Sequence, residues 1–65
     1  MAGDPSSYIV EFINIGRQVK VSAVDPDTGV EVSIVGPADA GRELLTRNAI
    51  RKLEYVLSKR ESGRR

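Results

Sequence analysis

The 65-residue chain contains no histidine, no cysteine and no tryptophan. Without cysteine it cannot form a disulfide, and most of the ligands that hold zinc or haem in proteins are missing. A chain of this length forms one domain and buries only roughly 60% of its unfolded surface on folding. We therefore expect neither a metal nor a cofactor, and self-association is the favoured external support for so small a core.

Long apolar runs are missing as well. The longest uncharged apolar-rich run, Val32–Ala38, is far shorter than the ~20 residues needed to span a bilayer as a helix. Residues Met1–Ser7 lack the basic and apolar regions of a secretory signal. We expect a cytoplasmic protein with no membrane partner and a single domain over residues 1–65, with a flexible lead at 1–7, a folded part at 8–60 and a frayed tail at 61–65.

Three segments have the β-branched and alternating composition of strands: Tyr8–Ile15, Gln18–Val24 and Val30–Val35. The Gly16-Arg17 pair between the first two predicts a two-residue hairpin turn. The segment Asp25–Gly29 supplies the Asp, Pro and Gly of a longer turn before the third strand. These signals together predict a three-stranded antiparallel meander.

The two turns also predict the register. Phe12 is expected opposite Val21, and Val21 opposite Ile34, so that apolar residues of all three strands share one face. This predicted core face comprises Val10, Phe12, Val19, Val21, Ala23, Val30, Val32 and Ile34.

A helix is predicted after Gly36-Pro37, where we expect the sheet to end. It starts near Asp39 or Gly41, each a candidate N-cap, and runs to Arg60. Its apolar stripe comprises Leu45, Ala49, Ile50, Leu53, Val56 and Leu57. The expected fold class is therefore α+β, a three-stranded antiparallel sheet followed by one C-terminal helix packed on one face (β-β-β-α).

Two segments also resemble a known family. The turn and strand DPDTGVEVSIVGP at residues 25–37, with the preceding strand from Val21, and the helix segment RKLEYVL at 51–57 resemble a family of short, uncharacterised bacterial proteins. The resemblance extends over Phe12–Lys59. It implies a complete small protein of unknown function, and it implies no activity, cofactor or partner.

Two loops resemble ligand-binding motifs only in part. The Asp25-x-Asp27-x-Gly29 string begins like a calcium loop, but Gly36 stands at the twelfth position, where such a loop needs an acid. Gly36 and Gly41 flank a strand-to-helix connection as in a phosphate loop, but Arg42-Glu43 follows where Lys-Ser/Thr is required. We interpret these segments as a hairpin turn and a connection, with anion binding beside Arg42 as a minor alternative.

Catalysis would need a serine, threonine, lysine or tyrosine nucleophile, because histidine and cysteine are missing. The predicted register places Ser22 opposite Ser33 on the far side of the sheet from the helix, which is typical of a cross-strand polar pair. We therefore expect no enzyme, and a cofactorless enzyme is the third-ranked alternative.

The charge is divided unequally along the chain. Residues 1–40 hold two basic and six acidic side chains, a net charge of −4, whereas residues 41–65 hold eight basic and three acidic ones, a net charge of +5. The outward-facing candidate polyanion contacts on the helix are Arg47, Arg51, Lys52 and Lys59. Nucleic-acid or polyanion binding through this basic helix is the alternative function. The β-β-β-α order is also found in the later part of a double-stranded-RNA-binding domain, which is an analogy at the level of the fold alone.

The favoured function follows from the sheet face that no predicted helix covers. Its apolar side chains, together with two outward residues of the helix, form the candidate protein interface: Ile9, Ile13, Ile15, Val24, Val35, Leu44 and Tyr55. Contiguous exposed apolar surface on a small domain is typical of an association site. We expect a non-enzymatic protein-binding or self-associating module, with a homodimer or another protein as its partner.

Overall fold

A computed structural model describes residues 7–63, with side chains to Arg60. Strands β1 (Ile9–Ile15), β2 (Gln18–Val24) and β3 (Glu31–Pro37) are followed by a short 3-10 turn, Ala38–Ala40, and by helix α1 (Arg42–Gly63). The strands form one antiparallel sheet in the order β1-β2-β3. The α+β fold and the β-β-β-α order are confirmed.

The predicted register is also confirmed. Ile15 pairs with Gln18 and Phe12 with Val21, and Val21 pairs with Ile34 on the other side of β2. Because side chains alternate between the two faces of a strand, the apolar residues of all three strands lie on the face towards α1. The buried core comprises Tyr8, Val19, Val21, Ala23, Val32, Leu45, Ala49, Leu53 and Leu57, with Val10, Phe12, Val30, Ile34, Ala40, Ile50 and Val56 packed at its margin.

The start of β1 and the end of β3 differ from the prediction. β1 begins at Ile9, yet the side chain of Tyr8 just before it is buried in the core. The expected end of the sheet at Gly36-Pro37 was wrong, because β3 continues through both residues and Pro37 pairs with Gln18. A proline is tolerated there because β3 is an edge strand, where the missing N–H lies on the side without a neighbour.

The start of α1 corresponds to Gly41, one of the two candidate N-caps. Asp39 lies in the 3-10 turn and caps nothing, whereas Gly41, with φ 95°, directly precedes the helix. The amide of Leu45 donates to the Gly41 carbonyl at 3.2 Å, closing the first helical turn. At its other end α1 continues to Gly63, three residues past the predicted end; residues 1–6 of the predicted lead, and Arg64 and Arg65 of the predicted tail, lie outside the described residues.

The helix does not lie centrally over the sheet. It packs chiefly against β2 and β3, and β1 contributes only the half-buried Val10 and Phe12 to the margin of the core. One side of α1 therefore borders β3, and the other side borders a groove above β1. Within residues 7–63, no helix has both the length and the hydropathy that crossing a membrane requires.

Candidate functional site

The sheet face opposite α1, here called the outer face, is formed by the alternate residues of each strand. Its exposed apolar members are Ile9, Ile13, Ile15 and Val35, and Val24 is half-buried. No element of the described chain packs on this face, since α1 lies on the other side. The sheet candidates from the sequence therefore do share one surface.

Cross-strand pairing arranges the outer face in rows. Ile9 lies beside Val24, and Ile13 lies beside Lys20, which lies beside Val35. Between these two rows, Glu11 lies beside Ser22. Glu31 lies beside Val24 at the β3 end of the first row. Rows with aliphatic and charged members therefore flank a polar row, and the face carries Glu11, Glu31 and Lys20 among its apolar side chains.

Two serines from neighbouring strands form the centre of the polar row. Ser22 pairs with Ser33, as predicted, and Ser22 is only 4% exposed although no helix covers it. Ser22 lies in the central strand β2, with Glu11 beside it on β1 and Ser33 on β3. We find a cross-strand polar pair here, as the sequence predicted.

The two helical members of the candidate interface lie elsewhere. Leu44 and Tyr55 are exposed on α1, and their spacing of eleven residues places them on nearly the same side of the helix. The ammonium of Lys59 lies 5.8 Å from the centroid of the Tyr55 ring, a cation–π contact. Since α1 packs on the opposite side of the sheet, the seven candidate interface residues form two separate surfaces.

The groove between β1 and α1 has a volume of about 710 Å³ and opens to solvent. Its apolar lining comes from Phe12 and Ile50, and its charged and polar lining from Arg42, Glu43, Thr46, Arg47, Arg51 and Glu54. The guanidinium of Arg42 lies 4.4 Å from the centroid of the Phe12 ring. Strand alternation predicts Phe12 in the core and does not predict this contact; the signal in the sequence was that the single phenylalanine of the chain lies in an outer strand.

The candidate polyanion contacts do not form one patch. Arg47 and Arg51 line the groove beside β1, whereas Lys52 lies on the β3 side of α1 and donates from Nζ to the Ser33 carbonyl at 2.9 Å. Lys59 stands over Tyr55. The basic side chains therefore divide into an arginine pair in the groove and two lysines that make contacts within the chain.

The loop that resembles the start of a calcium site is a hydrogen-bonded turn. Asp25 is 2% exposed, and its carboxylate accepts the Asp27 amide at 3.0 Å and the Thr28 hydroxyl at 3.1 Å. Its backbone amide donates to the Val30 carbonyl at 2.9 Å and closes the loop. Across the described part of the chain, no three acidic side chains converge as metal ligands.

Comparison with known proteins agrees with the expectation of an uncharacterised family. No curated protein and no solved structure matches the sequence. A family described as "Domain of unknown function (DUF6898)" matches residues 5–61, which include every element of the sheet and nearly all of α1. The chain belongs to the DUF6898 family.

Proposed function

We propose that this protein is a non-enzymatic binding module that self-associates through its outer face. The observation that supports this function is the uncovered set of Ile9, Ile13, Ile15 and Val35 on one side of the sheet. A 65-residue chain has too little interior to bury all its apolar side chains, and a second copy would remove these from water. We place it in the cytoplasm, in keeping with its cysteine-free sequence.

A second copy also complements the charges of this face. Glu11 and Lys20 lie on neighbouring strands, one cross-strand row apart. When the two-fold axis lies between these two residues, the Glu11 of each copy meets the Lys20 of the other, because the symmetry repeats the contact. Opposite charges placed in this way favour the two-fold arrangement over one that stacks like charges.

The outer face of one copy is small. Three strands of seven residues span roughly 14 Å by 23 Å, or about 320 Å² in plan, whereas standard interfaces bury about 800 Å² per partner. We therefore expect a concentration-dependent dimer that dissociates on dilution.

Solution mass measured against concentration tests this function. Ile13→Lys places a charge among the apolar side chains of the outer face and is expected to lower the association constant at least tenfold. Leu44→Lys is the matched control, because Leu44 is 46% exposed and Ile13 is 50% exposed, but Leu44 lies on α1. Sedimentation equilibrium should show reversible, concentration-dependent association for the wild type and the control. A wild type that stays monomeric throughout, or a larger loss from Leu44→Lys, would contradict the proposal.

The groove favours one second function, the binding of a polyanion such as nucleic acid. Three arginines, Arg42, Arg47 and Arg51, line the groove beside the Phe12 ring, and arginine next to an aromatic ring is a common nucleic-acid contact. This function predicts amide shifts along residues 47–59 on adding a short duplex at low salt, and their loss as salt rises. Arg51→Gln should weaken these shifts more than Lys59→Gln; an absence of shifts at low salt would exclude it.

A further inference from the structure

The two edges of the sheet differ in how they are protected. At the β3 edge, the outward carbonyl of Ser33 accepts a hydrogen bond from Lys52, and Pro37 has no N–H to offer. Both features are among the devices by which natural sheets block edge-to-edge pairing. The adjacent packing of α1 over β3 adds cover on the same side.

Within residues 7–63, the β1 edge has none of these devices. There β1 is paired with β2 only, and its sequence IVEFINI contains neither proline nor lysine and a single charge. The two-residue turn makes Ile15 and Gln18 a hydrogen-bonded pair. In an antiparallel ladder alternate residues bond to the neighbouring strand, so Ile9, Glu11 and Ile13 also direct their N–H and C=O groups to β2. The residues between them, Val10, Phe12 and Asn14, point their N–H and C=O groups away from the sheet, and no hydrogen bond to these groups occurs among the described residues.

We propose that two copies of this chain pair antiparallel through their β1 strands, forming one six-stranded sheet. Complete overlap of the seven-residue strands centres the two-fold axis on Phe12. Val10 then lies opposite Asn14 of the second copy, and the three outward residues of each strand form about six intermolecular backbone hydrogen bonds. An axis centred on Glu11 is disfavoured because it would set two carboxylates directly opposite each other.

Side chains on both faces agree with this register. On the outer face, Ile9 lies opposite Ile15 of the second copy, an aliphatic pair. On the helix side the two Phe12 rings come together, as aromatic pairs do in many interfaces. The half-buried Phe12, which α1 leaves at the margin of the core, thereby gains an apolar neighbour.

Pairing through β1 ends at the dimer. A two-fold contact uses the same edge on both copies, so no open β1 edge is left. The β3 edges at the two ends of the six-stranded sheet keep the Lys52 contact and Pro37. Edge pairing therefore closes at two copies and does not extend into a fibre. Contact between the outer faces of two such pairs would close as a tetramer.

Edge pairing through β1 adds a second contact to the proposed self-association, and its role in function rests on that proposal. Joining two β1 strands places two outer faces side by side and doubles the apolar face to roughly 640 Å² in plan. A pair of copies, and not a single chain, then offers a surface close to the size of a standard interface. The edge contact and the outer face are nevertheless different surfaces and can fail separately.

Cysteine cross-linking tests the register, because the natural chain contains no cysteine. We would prepare Val10→Cys and Asn14→Cys, give one of them a mass tag, mix them in equal amounts and oxidise the mixture. The proposed register sets these two positions opposite each other at a Cα separation near 5.5 Å, within disulfide range. Identical positions lie four residues apart along the pair, about 13 Å, which is out of range.

The expected result is that the mixed disulfide dimer exceeds both like-with-like dimers together, at least fivefold. Random collision gives half mixed product, and that outcome would overturn the inference. Stacked outer faces cannot imitate the expected result, because Val10 and Asn14 lie on the helix side of β1. The two proposals can be told apart. If Ile13→Lys abolishes association but the mixed and like-with-like disulfides form in the random ratio, the proposed function is retained and edge pairing is refuted.

Backbone methylation gives a second test that leaves every side chain in place. A synthetic chain with an N-methyl group on the Phe12 amide loses an outward donor and no β1–β2 hydrogen bond. We expect its circular dichroism to match that of the wild type and the dissociation constant of the edge-paired dimer to rise at least tenfold. The matched control is N-methylation at Val35, an outward amide of β3. An unchanged dissociation constant for the Phe12 chain would overturn the inference.

Discussion

Replacing Gly36 with alanine tests how closely α1 approaches the sheet. Gly36 is buried in β3, and a Cβ atom built on it would lie 2.6 Å from Cδ2 of Leu45. Carbon atoms in favourable contact are about 3.5–4.0 Å apart. Leu45 lies in the first turn of α1 and is 5% exposed, so alanine at position 36 requires this buried side chain to move by about 1 Å.

The magnitude follows from two opposing effects. Overpacking a core by one methyl group typically costs about 1–3 kcal/mol. Removing a glycine from a strand returns about 0.5–1 kcal/mol of conformational entropy. We expect Gly36→Ala to lower the free energy of unfolding by about 1 kcal/mol, which corresponds to a melting temperature lower by about 4–8 °C in a domain of this size.

A double-mutant cycle attributes this loss to one atomic contact. Leu45→Val removes the atom that the new methyl group would meet and should cost about 1 kcal/mol by itself. In the Leu45→Val background, Gly36→Ala should be neutral or slightly stabilising, giving a coupling energy of about 1–2 kcal/mol. Urea unfolding followed by circular dichroism measures all four proteins, and none of the losses approaches the total stability of about 3–10 kcal/mol expected for this length.

Leu57→Val is the matched control for this cycle. Leu57 is also 5% exposed on α1, and it lies twelve residues beyond Leu45, about 18 Å along the helix. Its cycle with Gly36→Ala should be additive within about 0.5 kcal/mol. If Gly36→Ala costs the same free energy in the wild-type and Leu45→Val backgrounds, close approach of Leu45 is not the reason for glycine at this position.

Three further substitutions test the turn and the core by urea unfolding. Asp25→Ala leaves an amide and a hydroxyl without their acceptor and should cost about 1–3 kcal/mol, whereas Asp25→Asn keeps one acceptor and should cost less; equal losses would contradict this role. Leu53→Ala removes a fully buried side chain and should cost about 2–5 kcal/mol, against less than about 0.5 kcal/mol for the exposed Leu44→Ala. Gly29 has φ 78°, so Gly29→Ala should cost about 1–2 kcal/mol and Gly29→Asn clearly less, since asparagine tolerates this conformation; a reversed order would refute the backbone explanation.

Most of the sheet could be predicted because its determinants are local. Gly16-Arg17 set the first pairing and Asp25–Gly29 the second, and alternation along each strand then decided which side chains share a face. Pro37 misled the prediction because proline ends a central strand but is tolerated at an edge. The predicted meander already makes the third strand an edge, and the predicted register turns the backbone of Pro37 outward, so the continuation of β3 through Pro37 was open to inference from the sequence.

The candidate surfaces were only partly predictable. The outer face follows from strand alternation, and its exposed isoleucines could therefore be named from the sequence. The division of the basic residues into arginines that line the groove and lysines that make contacts within the chain could not be predicted. Helical periodicity shows which residues face outward but not which strand lies beneath each side of α1. Lys52 looked like a free cation until the position of β3 placed the Ser33 carbonyl within its reach.

The sequence by itself determined the elements, their register and the two faces of the sheet, because turn chemistry and the periods of strand and helix act over a few neighbouring residues. Only the tertiary structure decided where α1 lies across that sheet. Its sideways position depends on how side chains of different volume fit together, with Leu45 packed against the bare backbone of Gly36. That position sets the helix over β2 and β3, protects one edge and leaves β1 open.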